Sequence, residues 1–186
     1  SPDGRLLASA GSDGTVRLWD PITRQAVGAP LTGDTNEATT VAFSPDGRLL
    51  ASAGSDGTVR LWDPITRQAV GAPLTGHTGA VTAMTFSPDG RLLATAGDDR
   101  TLRLWTTATW QPVSTPLTGH TAAVVAVAFS PDSSTVATAS MDTTIRLWHP
   151  AHYVEPVEYI CSMVGPPTST EWRGFAPGEP LPRVCA

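Results

Sequence analysis

The sequence predicts an all-β fold of four-stranded antiparallel sheets repeated radially around an axis, and three observations point there. Residues 1–20 return letter for letter at 44–63, and weaker copies begin at Ser87 and Ser130, so the four starts lie 43 residues apart. A fixed period of that size means one supersecondary unit stacked on itself. Within each unit, short runs rich in Val, Leu, Ala and Thr are separated by turn residues, and helical spacing is absent. Those runs are apolar on both faces, so each sheet must be sandwiched between copies of itself.

The third copy shows the unit with its full lead-in. Residues 81–86 form the first run, with Val81, Ala83 and Thr85 on one side and Thr82, Met84 and Phe86 on the other. Ser87-Pro88-Asp89-Gly90 follows, with proline second and glycine fourth, which favours a type I turn. Residues 91–96 make the second run, 97–100 turn the chain again, and 102–105 make the third. A poorer fourth run, 111–117, contains Pro112 and Pro116. Prolines spare the hydrogen-bond ladder only at a sheet edge, so this strand is predicted to be the outermost.

The Gly-His pairs Gly76-His77 and Gly119-His120, the Trp-Asp pairs Trp19-Asp20 and Trp62-Asp63, the Ser-Pro-Asp-Gly turns and the aspartate of the second turn resemble the WD-repeat family of β-propellers. The resemblance covers roughly residues 1–150, and its motifs are specific because they recur in one order at one period. It implies propeller blades of four antiparallel strands, here a partial, open arc of about four blades with repeats near 1–43, 44–86, 87–129 and 130–160. It also implies a buried structural network in each blade that links a histidine, a Ser or Thr of the second strand, the turn aspartate and the tryptophan. By position these are His77, Thr95, Asp99 and Trp105, then His120, Thr138, Asp142 and Trp148. Ser52, Asp56 and Trp62 make a third set, with Asp34 where the histidine belongs, and Ser9, Asp13 and Trp19 are their counterparts in the first copy. Two carboxylates cannot replace an imidazole–carboxylate bond unless one takes up a proton, so the Asp56 site is expected to be broken or rebuilt around water.

Residue 1 already lies in the turn after an absent first strand. The opening blade can then offer strands only near 5–10, 15–19 and 25–31, and the chain reads as a fragment of a longer protein, with the missing blades of the same propeller as partners. Residues 1–33 and 44–76 are identical, a recent duplication that leaves two blades with one surface. Between them, 34–40 is a polar link, whereas its counterparts 77–80 and 120–123 are small and bland. Asp34, Thr35, Asn36 and Glu37 are therefore the candidate partner-binding loop, set against simple drift in a surface loop.

The fourth copy keeps Asp142 and Trp148 but ends in His149 instead of aspartate, and 151–160 is expected to supply its outer strand, broken by Pro156. Repetition then stops. Residues 161–186 form a Pro/Gly-rich tail in which Thr168 and Glu171 resemble a capping box, predicting a short helix near 169–176 that lays Trp172 and Phe175 on the propeller. This ending resembles the tails that follow propellers in large bacterial signalling proteins, which implies a sensor or docking module in the cytoplasm.

Composition narrows the chemistry. A net charge of −5 and a pI near 5.2 argue against a nucleic-acid-binding face. No apolar run approaches the length of a membrane span. All 12 basic residues are arginine, so a Walker-type phosphate loop, a Schiff-base lysine or a Ser-Lys dyad is excluded within these residues. His, Ser and Asp copy a hydrolase triad in composition, but they repeat from copy to copy and no G-x-S-x-G occurs, so no catalytic residue is expected. His149 and His152 with Cys161 straggle too far for tetrahedral zinc, and neither a metal nor a cofactor is expected. Cys161 and Cys185 read as thiols in a reducing cytosol rather than a disulfide. Arg17, Arg60, Arg103 and Arg146 on the third strands read as arginines that snorkel at the rim. The resemblance thus implies a non-catalytic protein–protein interaction scaffold; the alternative is a ligand-binding or hydrolytic site in the central channel. Near-identical blades argue against the latter, because convergent catalytic groups must differ from one another.

Overall fold

Each run of β-branched and small apolar residues becomes a strand, and each Ser-Pro-Asp turn reverses it. The computed structural model describes residues 1–33 and 37–154, and the chain divides into two compact units, Ser1–Trp148 and His149–Ala186. The first unit holds four antiparallel three-stranded sheets in chain order. Blade 1 comprises β1 (Leu7–Ala10), β2 (Thr15–Trp19) and β3 (Leu31–Thr32); blade 2 comprises β4 (Ala38–Phe43), β5 (Leu50–Gly54) and β6 (Val59–Trp62). Blade 3 comprises β7 (Val81–Phe86), β8 (Leu92–Gly97) and β9 (Leu102–Thr106); blade 4 comprises β10 (Val124–Phe129), β11 (Val136–Ser140) and β12 (Ile145–Trp148). In the second unit the described residues include one helical turn, α1 (Ala151–Val154). No helix among the described residues is long and apolar enough to cross a membrane.

Two expectations need correcting. The fourth strand of blades 2 and 3 is not a continuous strand: it touches the third strand through isolated bridges, Val59 to Leu74 and Trp62 to Ala69, then Leu102 to Leu117 and Trp105 to Pro112. Pro112 and Pro116 have no N–H to donate, so the outer segment of blade 3 donates from Val113 and Leu117 to Leu104 and Leu102 at 2.8 Å, while Leu102 and Thr106 donate back to Leu117 and Gln111 at 3.1 and 3.0 Å. Residues 151–154 form the turn of helix rather than an outer strand, with the Tyr153 N–H donating to the Pro150 carbonyl at 2.9 Å. The predicted helix near 169–176, with Trp172 and Phe175, and the cysteines Cys161 and Cys185 lie outside the described residues.

Register fixes which side chains share a face. Ser52 pairs with Arg60 and Leu50 with Trp62 across β5 and β6, so these four look back toward blade 1, while Ala51, Ala53, Val59 and Leu61 look forward to blade 3. The forward set meets Val81, Met84, Phe86, Leu93 and Trp105 in one apolar cluster. Blades 1 and 2 meet through Val16, Leu18 and Leu31 against Leu50 and Trp62. Burying a side chain such as Leu50 or Leu93 completely is worth about 1.5–3 kcal/mol. A bulge in each first strand adds a polar stitch, since the Thr39 hydroxyl is shared between the carbonyls of Ala53 and Val81, and that of Thr82 between Ala96 and Val124. The next position in this series is Val125, which has no hydroxyl. Forward residues of blade 4 stay open: Ile145 and Leu147 are 72% and 66% exposed, where Leu102 and Leu104 of blade 3 are 1% and 2% exposed.

Candidate functional site

The second turn of each blade has an aspartate two residues before a threonine, and this local pair sets the site. Asp99 Oδ1 accepts the Thr101 N–H at 3.1 Å and its hydroxyl at 2.8 Å. Asp56 does the same with Thr58 at 2.9 and 2.8 Å, Asp13 with Thr15 at 3.1 and 2.7 Å, and Asp142 with Thr144 at 2.9 and 2.6 Å. Holding Oδ1 this way leaves Oδ2 to reach across to another strand or link.

In blade 3 that partner is His77, whose Nδ1 lies 2.9 Å from Asp99 Oδ2. His77 Nε2 lies 2.9 Å from Thr95 Oγ1, which also accepts the Trp105 indole N–H at 2.9 Å. A proton on Nδ1 alone satisfies every group. Trp105 donates to Thr95, Thr95 donates to His77 Nε2, and His77 Nδ1–H donates to Asp99. A second ring proton would leave the Thr95 hydroxyl without this acceptor. The Thr78 N–H adds a bond to Asp99 Oδ2 at 3.1 Å. Burial holds the His77 imidazole below its ordinary range, against the pull of Asp99. Burial pushes the Asp99 carboxyl up, but Thr101, the nearby imidazole and the Thr78 N–H outweigh it, so its pKa is lowered.

Blade 4 repeats the arrangement. His120 Nδ1 is 2.8 Å from Asp142 Oδ2, His120 Nε2 is 2.8 Å from Thr138 Oγ1, and the Trp148 indole donates to Thr138 at 2.9 Å. The Trp148 ring meets the imidazole edge-on, 6.4 Å between centroids. Thr144 above all, then the Thr121 N–H and His120, lower the Asp142 pKa against the effect of burial.

Blades 1 and 2 keep the tryptophan end, with Trp19 donating to Ser9 and Trp62 to Ser52, each at 2.9 Å. Their aspartates turn to arginine instead. Arg60 Nη2 is 3.0 Å from Asp56 Oδ2 and Nη1 donates to Thr58 Oγ1 at 2.5 Å, with both side chains of the ion pair only 14% exposed. Arg17 Nη2 is 2.9 Å from Asp13 Oδ2 in a more open setting. Arg60 is therefore not a snorkelling arginine, and the Asp56 site is rebuilt through a guanidinium. The reason is competition for one carboxylate oxygen. In blade 3 His77 holds Oδ2, and Arg103, at the same strand position as Arg60, donates to the Gly76 carbonyl at 2.5 Å. The signal was in the sequence: an arginine stands four residues after the turn aspartate in all four copies.

Of the candidate partner loop, Asp34, Thr35 and Asn36 lie outside the described residues, as does any contact of Asp34 with Asp56. Glu37 is exposed, and its carbonyl accepts the Ser55 N–H at 3.0 Å. The link approaches the second strand so closely that a Cβ on Gly54 would collide with that carbonyl, which is why glycine ends the strand. Corresponding bonds run from Asp98 to Ala80 and from Met141 to Ala123, each at 2.9 Å. These links gather with the second turns, while the Ser-Pro-Asp turns lie at the opposite ends of the strands; there the Asp89 N–H donates to Ser133 Oγ at 3.2 Å. Ser133 stands where glycine stands in the other copies and holds φ +63°. Among the described residues no group of three or more His, Cys, Asp or Glu could hold a metal.

A family model described as WD40 (WD domain, G-beta repeat) matches residues 1–20, 27–63, 69–106 and 110–149. No curated protein matches the chain.

Proposed function

The chain belongs to the WD40 (WD domain, G-beta repeat) family, whose repeats generally mediate protein–protein interaction, and from that premise we propose that it is a rigid, non-catalytic docking platform, the sensor or docking module of a larger bacterial signalling protein in the cytoplasm. One observation carries the reading. In blades 3 and 4 the reactive-looking groups close on one another inside the sheet and brace the link that ends each face. Thr95, His77 and Asp99 have the composition and hydrogen-bond order of a hydrolase triad. However, Thr95 has no exposed surface and its oxygen already accepts the Trp105 N–H, so a substrate carbonyl has no approach to it. The same donors instead fix where the links stand, and a stiff link presents side chains to a partner at low entropic cost. The polar link ending at Glu37 is the candidate contact surface, and further blades of the same propeller are the partners that the open faces of blades 1 and 4 suit.

Site-specific photo-crosslinking tests the platform. A crosslinker at Glu37, on the link face, should give a discrete protein adduct in cells of the source organism, and a crosslinker at Arg48, on the opposite face, should not. Labelling of Thr95 or Thr138 by an active-site-directed fluorophosphonate would instead establish a hydrolase and overturn the reading.

A further inference from the structure

The outer edges of blades 1 and 2 carry one sequence, 26–32 and 69–75, yet they are covered differently. Over the first, the Arg67 side chain reaches across from blade 2 and lies on Gly28, so closely that a Cβ there would collide with its guanidinium. Over the second, the residue in Arg67's place is Trp110, and a Cβ on Gly71 would find none of the described residues within 4 Å. Arg67 and Trp110 hold the same left-handed turn, with φ of 60° and 58°, so the side chain alone makes the difference. A hollow of about 370 Å³ results between blades 2 and 3, bounded by Trp110, Pro112 and Pro73 above the buried Leu61, Leu74 and Trp105, with no charged side chain among the described residues that line it.

Trp110 also borders a second hollow of about 330 Å³, whose lining includes Asp46 and Asp89. In each, Oδ1 is taken by a serine hydroxyl and a backbone N–H, while Oδ2 lies 3.8 and 3.9 Å from the Nε of an exposed arginine, too far for a hydrogen bond. One tryptophan thus separates an uncharged trough, whose twin accommodates an arginine, from an acidic recess.

We propose that this rim groove docks a basic peptide segment of a partner protein, which lays an arginine stem over Gly71 as Arg67 lies over Gly28. The guanidinium then stacks on the Trp110 indole, within the field of Asp46 and Asp89. Arginine suits the place better than lysine because its planar head is weakly hydrated and stacks on aromatic faces. The inference rests on the docking-platform reading and adds to it a site on the rim, away from the link face.

The test uses the full chain and a fluorescein-labelled peptide Ile-Thr-Arg-Gln-Ala, the sequence of residues 65–69, followed by anisotropy. Saturable binding is expected, with the Trp110 and Trp105 indole N–H signals shifting in NMR spectra of the labelled chain. Replacing the peptide arginine by uncharged citrulline should weaken binding roughly tenfold. Trp110→Arg, which gives blade 3 the residue that fills the groove between blades 1 and 2, should abolish binding while the Trp62 indole signal stays in place. Should that variant fail to fold, Asp46→Asn serves instead and should weaken binding roughly threefold. No saturation at millimolar peptide, equal binding of the citrulline peptide, or full binding by both variants overturns the rim site. Crosslinking at Glu37 is read independently, so failure at the rim leaves the platform reading to its own test.

Discussion

Blades 2 and 3 hold the same aspartate at the same turn, tether the same oxygen to the same threonine, and then differ in what holds the other oxygen. Asp56 gives Oδ2 to Arg60, while Asp99 gives it to His77. The arginine is present in both blades, so blade 3 shows which partner prevails when both are available. Imidazole takes the carboxylate, and the displaced Arg103 moves to a carbonyl and leaves its Nε buried without a partner. The geometric result is similar, but the electrostatics are not. Blade 2 carries an ion pair, whereas blade 3 carries a chain of hydrogen bonds that is complete only with a neutral ring.

That difference is broken most sharply by removing the carboxylates. Asp99→Ala strips the acceptor from the Nδ1–H of a histidine whose side chain has no exposed surface, and from the Thr78 N–H. It should lower stability by about 1–3 kcal/mol in chemical denaturation. Asp56→Ala should cost less, roughly 1 kcal/mol, because the partly exposed Arg60 head can turn toward water. Equal losses would mean that the histidine network contributes nothing beyond the shared aspartate–threonine tether.

Acid should also tell the blades apart. The unfolded chain protonates His77 near its ordinary value, about 6.5, while the folded ring resists until lower pH. Between those values the unfolded state binds more protons, so stability rises with pH and is lost as pH falls below the unfolded value. Asp99, with its pKa also lowered, adds a loss further down, as pH falls from its ordinary value of 3.8 through its folded one. The denaturation midpoint should therefore fall from pH 7.5 to pH 5.5, and His77→Gln should flatten that fall. An unchanged slope in the variant would sink the assignment of a neutral His77.

How much of this the sequence carries depends on the range of the interaction. The period places each tryptophan opposite a leucine or valine of the second strand and each arginine opposite a serine or threonine, so strand positions and facing residues are readable from a single copy. The exchange of Arg60 for histidine is harder to read. It depends on two residues from different segments competing for one oxygen, and no local pattern encodes who wins. The outer strand fails for a different reason. Pro116, like Pro73 in blade 2, suits a sheet edge, but it also removes a donor that a continuous strand needs. At 151–154 a fourth strand follows only if the repeat persists, and after Pro150, the counterpart of Pro21 and Pro64, the repeated letters have already stopped.

The arginines themselves sharpen the comparison at a smaller scale. Arg60→Gln removes the cation from a largely enclosed pair, whose carboxylate keeps its bonds to Thr58, and should cost roughly 1 kcal/mol. Arg103→Gln gives up one bond to the Gly76 carbonyl but also frees a buried, unpartnered Nε, so the two effects should nearly cancel. Urea midpoints for the two variants decide this. A larger loss at Arg103 would mean that the guanidinium, and not the imidazole, dominates blade 3.

Salt gives the smallest and cleanest separation. The Arg60–Asp56 pair retains some contact with solvent, and at 1 M salt the screening length shrinks to about 3 Å, comparable with the separation of the charges themselves. The stability lost by Asp56→Asn, which keeps the shape and removes the charge, should therefore shrink by a few tenths of a kcal/mol between about 0.05 M and 1 M sodium chloride. Asp99 faces a ring that is neutral at pH 7.5 and buried, so counterions have no opposite charge to displace. The loss caused by Asp99→Asn should stay constant across the same range. The same salt dependence at both sites would place a charged imidazole in blade 3, and the distinction between an ionic and a hydrogen-bonded blade would fall with it.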